Sequence, residues 1–236
     1  MFDKKENKSQ KIVTIDGPSG VGKSTISRTV AASLSFTYLD TGAMYRAVGL
    51  QLLNEKVDLN NETAVQRCLD ACTLQLVAAA AGSDNVGVIL NGKDVSEAVR
   101  SPEMSMVASS VSTISAVRIK LTGMQQEIGR EGNIVAEGRD TGTVVFPGAS
   151  WKFYLDANPE ERMRRRADQL RAGGERVDEE KLLQMIIKRD HDDQSRSIAP
   201  LCKAEDATVI DTTVLSIDQV TKTMLDIING ACITPQ

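Results

Sequence analysis

The sequence predicts an α/β fold built on a five-stranded parallel sheet, with a small antiparallel insert. Three observations carry that expectation. Short apolar runs alternate with segments of helical period along most of the chain, as strands and crossover helices do. The first apolar run meets a glycine-rich turn that opens a helix. The rhythm breaks once, near residues 72–97, where two strand-like runs adjoin Asn91-Gly92, a strong hairpin-turn pair.

The elements follow in order. Ile12-Val13-Thr14-Ile15 is the first strand, and a helix is predicted from Gly22 to about Ser33. Further strands are expected at residues 36–39, 133–136, 151–155 and 207–210, each followed by polar or helical sequence. Within the insert, strands are read at residues 73–77, 86–90 and 93–95. Residues 102–130 are helical and broken near 112–115, where short hydroxyl side chains compete for backbone hydrogen bonds. Asn158 is expected to cap the next helix, with Pro159 at its first position and Glu160 and Glu161 at the positive end of the dipole. Asp178 caps another helix, Ser216 opens the last, and Gly230 closes it.

Composition limits the function. The 236 residues are 41% hydrophobic and 25% charged, enough for one substantial core and against a disordered or fibrous chain. Net charge is -4 and aromatic content 3%, which argues against polymeric nucleic acid as a partner. Cys68, Cys72, Cys202 and Cys232 show neither a dense disulfide framework nor a metal-ligand spacing, so reduced, mostly buried thiols are expected, with packing the role of Cys68 and Cys72. The charged start lacks a signal peptide's apolar segment, and no run approaches the ~18 apolar residues of a membrane span. The expectation is a soluble cytoplasmic protein with no membrane partner, and a monomer. Residues 1–10 and 231–236 are expected to be tails flanking one unit over 11–230.

Gly17-Pro18-Ser19-Gly20-Val21-Gly22-Lys23-Ser24 has the spacing G-x-x-x-x-G-K-[ST] between a strand and a helix. Such a P-loop cradles phosphates with backbone N–H groups, its lysine reaches the β and γ phosphates, and its hydroxyl residue joins the shell of Mg²⁺. It implies a P-loop three-layer fold and a nucleoside triphosphate ligand. Kinase, GTPase switch and mechanical ATPase remain open at this point. Asp16, just before the loop, is read as a cap or brace for it.

The acceptor side narrows the choice. Leu39-Asp40-Thr41-Gly42-Ala43-Met44-Tyr45-Arg46 puts Arg46 one turn into a helix at a strand's carboxyl end, where open α/β sheets bind ligands. A phosphate clamp is the natural reading. Residues 136–147 cluster glycines, Glu137, Arg139 and Asp140 at the end of another strand. Arg162 to Arg196 holds much of the chain's arginine, with Gly173-Gly174 as a joint, so a mobile arginine-rich lid is centred near 164–177. Arg164 and Arg171 read as solvated. Arg189, Asp193 and Arg196 stand at i, i+4 and i+7 of one helix and so share a face, with an Arg189–Asp193 ion pair as the bland reading. His191, the sole histidine, receives no role.

Together, DGPSGVGKST, LDTGAMYRA, EGRDTGTVVFP and RDHDDQSRSIAPL resemble the bacterial cytidylate kinase family, from about Lys11 to Asn229. The resemblance implies ATP and CMP or dCMP as substrates, Mg²⁺ as cofactor, and a monophosphate-binding region over about 41–130 that includes the insert. It implies that residues 17–25, from Gly17 to Thr25, with Arg165, hold the ATP phosphates. Thr41, Tyr45 and Arg46 would lie beside the CMP phosphate and sugar, with Arg139 a second phosphate contact. Ser109, Arg118 and Asp140 would meet cytosine, whose N4 amino donor suits a carboxylate and whose N3 and O2 suit arginine and serine. Arg189 and Asp193 would meet the ribose side. Lys23, Arg139, Arg189 and Arg196 would be the catalytic set, with Ser24 on Mg²⁺ and Glu137 joining through water. The chain departs from the family pattern at Thr41, where serine is expected, and Glu137, where aspartate is common. A different nucleoside-monophosphate kinase, with UMP or AMP as acceptor, is the nearest alternative. A P-loop switch is the more distant one, and no guanine-reading Asn-Lys-x-Asp stretch supports it.

Overall fold

The computed structural model describes residues 11–78 and 85–230. The two expected tails, Cys232 and the middle of the insert lie outside these residues. Five parallel strands form the main sheet: β1 (Ile12–Asp16), β2 (Thr37–Asp40), β6 (Ile134–Gly138), β7 (Trp151–Asp156) and β8 (Thr208–Asp211). Their order is β2-β6-β1-β7-β8. The strands fall within one or two residues of the sequence reading.

Two apolar layers sandwich the sheet. Alternation within each strand sends Val13 and Ile15 to the layer holding Ile26 and Val30 of α1 (Lys23–Leu34) and Val220 and Met224 of α8 (Ile217–Ile228). Ile134 and Ala136 face the opposite layer, with Met44 and Val48 of α2 (Thr41–Asn54), Val65 of α3 (Glu62–Ala71) and Leu121 of α5 (Ser115–Glu131). The expected break in the 102–130 stretch is real: α4 (Pro102–Val111) ends before α5 begins.

The insert is a separate antiparallel sheet, β3 (Leu74–Val77), β4 (Gly87–Leu90) and β5 (Lys93–Asp94). Asn91 and Gly92 turn the β4–β5 hairpin with φ of 49° and 75°, the left-handed pair a tight hairpin demands. It leans on α2, where the Asn91 amide donates to Gln51 at 3.0 Å.

The carboxylate of Asp178 accepts from Lys181 N at 3.1 Å and caps α7 (Glu179–Gln194), while Ser216 and Gln219 form a reciprocal capping box on α8. Asn158 corrects an expectation: it holds the first cap position of α6 (Pro159–Ala172), but its side chain makes no capping bond. Pro159, which has no N–H to satisfy, and the two glutamates of the first turn suffice there. Cys68 and Cys72 are buried free thiols in the α2–α3 layer, as packing requires. Among the described residues, no helix is long and apolar enough to cross a membrane.

Candidate active site

A cleft of about 980 Å³ opens at the carboxyl ends of β1, β2 and β6, between the P-loop, the start of α2, α4 and the arginine-bearing helices α6 and α7. Every site residue singled out in the sequence lines it except Gly17, Pro18 and Val21, which are buried beneath.

The donor side is built from backbone. Gly17 takes φ 145°, and a Cβ there would stand 2.0 Å from the Leu155 carbonyl oxygen, so only glycine lets the loop leave β1 this closely packed. Gly22, φ 92°, occupies the cap of α1 with no side-chain bond, leaving the helix's first N–H groups facing the cleft. Lys23 is buried, and its Nζ donates to Pro18 O at 2.6 Å. Burial and then the neighbouring Arg139 hold its pKa well below the usual lysine value. The Ser24 hydroxyl donates to Glu137 Oε1 at 2.8 Å, while Glu137 Oε2 is buried without a partner. Burial, followed by repulsion from Asp40, raises the Glu137 carboxyl.

The acceptor side is built from ion pairs. The Arg118 guanidinium bonds the Asp140 carboxylate and donates to Ser112 O at 3.2 Å, both charged groups being nearly buried. Tyr45 lies below that guanidinium, 5.7 Å from its carbon to the ring centre. Burial is the main cause that pushes the Asp140 carboxyl up to about 6. Asp193, 1% exposed, accepts from Arg139 Nε at 3.0 Å and from Arg196. Arg196 also reaches Ser109 Oγ at 3.4 Å, which joins the turn after α7 to α4. Thr41 Oγ1 donates to Glu137 O at 2.6 Å, and Arg46 pairs with Asp40 at 3.3 Å.

Several expectations are corrected here. The carboxylate of Asp16 makes no bond to the P-loop; it accepts from the residues after Asp140. Asp193 pairs with Arg139 and Arg196 instead of Arg189, whose Nη1 donates to Ser19 Oγ at 3.3 Å. Helix α7 stops at Gln194, so Arg196 approaches from the following turn and not from a helix face. Arg165 lines the cleft, yet its guanidinium is held by Glu161 at 2.8 Å and by the Thr212 carbonyl at 2.5 Å. Arg164 and Arg171 are on the surface in local ion pairs, as the sequence suggests.

Sequence reasoning missed Arg162. It is 3% exposed, and its guanidinium donates to Ala157 O at 2.9 Å and Ser19 O at 3.3 Å while pairing with Asp190 at 2.6 Å. One side chain thus ties the P-loop to α6 and α7. Breaking a buried pair of this kind costs about 3–5 kcal/mol. No local pattern separates Arg162 from Arg164, Arg165 and Arg166.

Comparison with known proteins settles the family. A family model described as cytidylate kinase matches residues 13–230. The chain belongs to the cytidylate kinase family. The cytidylate kinase of Carboxydothermus hydrogenoformans is 45% identical over 92% of this chain and 96% of its own length. That of Oleidesulfovibrio alaskensis is 46% identical over 89% and 94%. An uncharacterised protein from Eubacterium ventriosum shares the fold at TM-score 0.50 and 12% identity, over 93% of this chain and 98% of its own. The P-loop and the cleft residues Arg46, Arg118, Arg139, Arg189 and Arg196 all fall inside the matched span.

Proposed function

We propose that this cleft transfers the γ-phosphoryl group of ATP to CMP or dCMP, giving ADP and CDP or dCDP without a covalent enzyme intermediate. The observation that carries the reading is the buried Arg118–Asp140 pair facing the same cleft as the P-loop lysine. A donor-acceptor pair of that kind matches the cytosine edge: the carboxylate accepts from the N4 amino group and the guanidinium donates to N3 or O2. Uracil would present O4 to Asp140 and leave a buried acceptor facing an acceptor, which disfavours UMP.

On the donor side, backbone N–H groups of residues 17–25 hold the ATP phosphates and Lys23 leaves Pro18 O to reach the β and γ oxygens. Ser24 and the Glu137 carboxylate fit a divalent cation: Oε2 is buried and makes no well-formed bond, the Tyr38 hydroxyl beside it lowering the carboxyl's pKa less than burial raises it, and such an oxygen is costly unless a cation meets it. They would hold Mg²⁺, which when bound neutralises charge on the donor phosphates. Glu137 in place of aspartate extends the carboxylate by one methylene toward the Ser24 hydroxyl, from which its Oε1 already accepts.

On the acceptor side, Arg46 and Arg139 exchange Asp40 and Asp193 for the CMP phosphate, a stronger bidentate partner. Thr41 and Tyr45 line the phosphate and sugar, Ser109 supports the base, and Asp193 and Arg189 turn to the ribose side. Arg189 and Arg196 neutralise charge on the transferring group. Arg189 is suited to this: burial and then Arg139 push its pKa down to about 10, so it arrives poorly solvated and under-paired, with Nε lacking a partner. No general base is required, because the acceptor is a phosphate oxygen already ionised near neutral pH. His191 is exposed and takes no part.

Residues 164–177 act as a lid that excludes water and suppresses ATP hydrolysis when both nucleotides are bound. Arg165 joins the ATP phosphates by leaving Glu161 as the lid closes. The test is ADP release with ATP, Mg²⁺ and each of CMP, dCMP, UMP and AMP, beside an ATP-only control. Turnover is expected with the two cytidine nucleotides well above UMP and AMP, and an equal response to all four would refute the acceptor assignment.

A further inference from the structure

Asp16 ends β1, and the residue after it begins the P-loop, yet its side-chain hydrogen bonds go elsewhere, and the P-loop Lys23 acts on it only as a nearby charge. Its carboxylate is 4% exposed, and all of its protein bonds go to one place. Oδ1 accepts from Thr141 N at 2.9 Å and from Thr141 Oγ1 at 2.8 Å, and Oδ2 accepts from Gly142 N at 2.7 Å. Those three donors immediately follow Asp140. They open a single wide turn at Thr141–Val145, closed by Phe146 N to Thr141 O at 2.7 Å, a bond spanning five residues. The turn lies hard against β1: a Cβ on Gly142 would stand 2.8 Å from Thr14 Oγ1. Asp16 itself sits in register opposite Gly138, the last residue of β6.

We infer that Asp16 is a positioning residue for acceptor recognition: by holding the first two N–H groups of the 141–145 turn it fixes where Asp140 and, through it, Arg118 meet the base. The inference rests on the reading of the cleft as a CMP site and deepens it. A buried carboxylate is an expensive way to pin a turn, because desolvation raises its pKa against the three bonds that lower it. The expense fits the task. Asp140 follows β6 at φ −144°, ψ 22°, off the strand conformation; its carbonyl accepts from Val144 N at 2.9 Å and Val145 N at 3.2 Å, bonds internal to the turn, and its partner Arg118 comes from a different helix, so the turn and the Asp140 carboxylate on it still need a tie to the sheet. Asp16 supplies the anchor from the rigid centre of the sheet. The strand that delivers the donor loop thereby also sets the acceptor's recognition group.

The discriminating variants are Asp16→Asn and Thr141→Val. Asparagine keeps the shape and one acceptor oxygen but turns an N–H toward the Gly142 N–H, while valine removes only the hydroxyl donor. For Asp16→Asn, kcat/KM with CMP is expected to fall about 10–100-fold, as for loss of a charge-assisted bond in a buried site. The KM for ATP is expected to stay within about threefold, and the CMP-over-UMP ratio to narrow. Thr141→Val should move the same ratio in the same direction by less, which keeps the inference testable if Asp16→Asn folds poorly. If ATP and CMP parameters fall together with the ratio unchanged in both variants, Asp16 is a general structural brace and the inference fails. If the unmodified enzyme itself shows no preference for CMP over UMP, the underlying acceptor assignment fails instead.

Discussion

The two halves of the cleft are made in opposite ways. The donor half is one contiguous loop whose ligand groups are backbone N–H donors, fixed by glycine conformations at Gly17 and Gly22 and by the start of α1. The acceptor half has side chains from α2, α4, α5, β6 and α7, and in this structure they are neutralised by one another: Arg118 by Asp140, Arg139 and Arg196 by Asp193, Arg46 by Asp40. A backbone cradle costs little to leave empty, since N–H groups at an open helix N-terminus can bond water. Buried arginines left without a carboxylate bear a desolvation penalty, which Arg118, Arg139 and Arg196 avoid by these pairs and Arg189 does not. The difference means that donor binding adds bonds, whereas acceptor binding exchanges them.

The largest effect should come from the donor half. Lys23→Met keeps the stem and removes the charge, and kcat is expected to fall on the order of 10²–10³-fold, the range for losing one preorganised electrostatic group. CMP binding measured without ATP should hardly change; a large loss there would break the division between the halves.

Next is Asp140→Asn, which leaves Arg118 buried with a neutral partner. The kcat/KM for CMP should drop about 10–100-fold with the ATP KM little altered. A pH profile sharpens the point. Asp140 titrates at about 6, above its ordinary value, so its carboxylate is present above that pH and lost below it. The KM for CMP is therefore expected to rise as pH falls from 7 to 5. Asp140→Asn should flatten the part of this rise that the CMP phosphate, itself titrating near pH 6, does not supply.

The smallest effect belongs to Thr41→Ser, which restores the residue expected from the family pattern. The hydroxyl bond to Glu137 O survives and only a buried methyl is lost, so kcat/KM should stay within about threefold and stability should fall by about 1 kcal/mol or less, read by thermal unfolding.

The same division governed how far the sequence could be read. The P-loop, the hairpin at Asn91-Gly92 and the caps at Asp178 and Ser216 are local: neighbouring residues both specify and satisfy them, so spacing alone sufficed. Asn158 failed as a side-chain cap because Pro159 and the two following glutamates already meet the needs of that helix end. On the acceptor side, the residues that the resemblance names line the cleft, but their pairings were not legible from it. The helical spacing of Arg189 and Asp193 pointed to an ion pair between them, and the end of α7 at Gln194 gave Asp193 to Arg139 and Arg196 instead. Arg162 and Arg164 stand two positions apart in one arginine run. One is buried against a loop 143 residues earlier in the chain, and the other is in water.

The sequence by itself determined the strand and helix order, the donor loop and its chemistry, because periodicity, glycine and capping act over a few residues. The tertiary structure decided which charges neutralise which, that Asp16 bonds the turn after Asp140 and not the P-loop, and that Arg162 ties the P-loop to α7. Ion pairing depends on distances between segments far apart in the chain and on how much water the packing leaves between them, and neither quantity is written in local spacing.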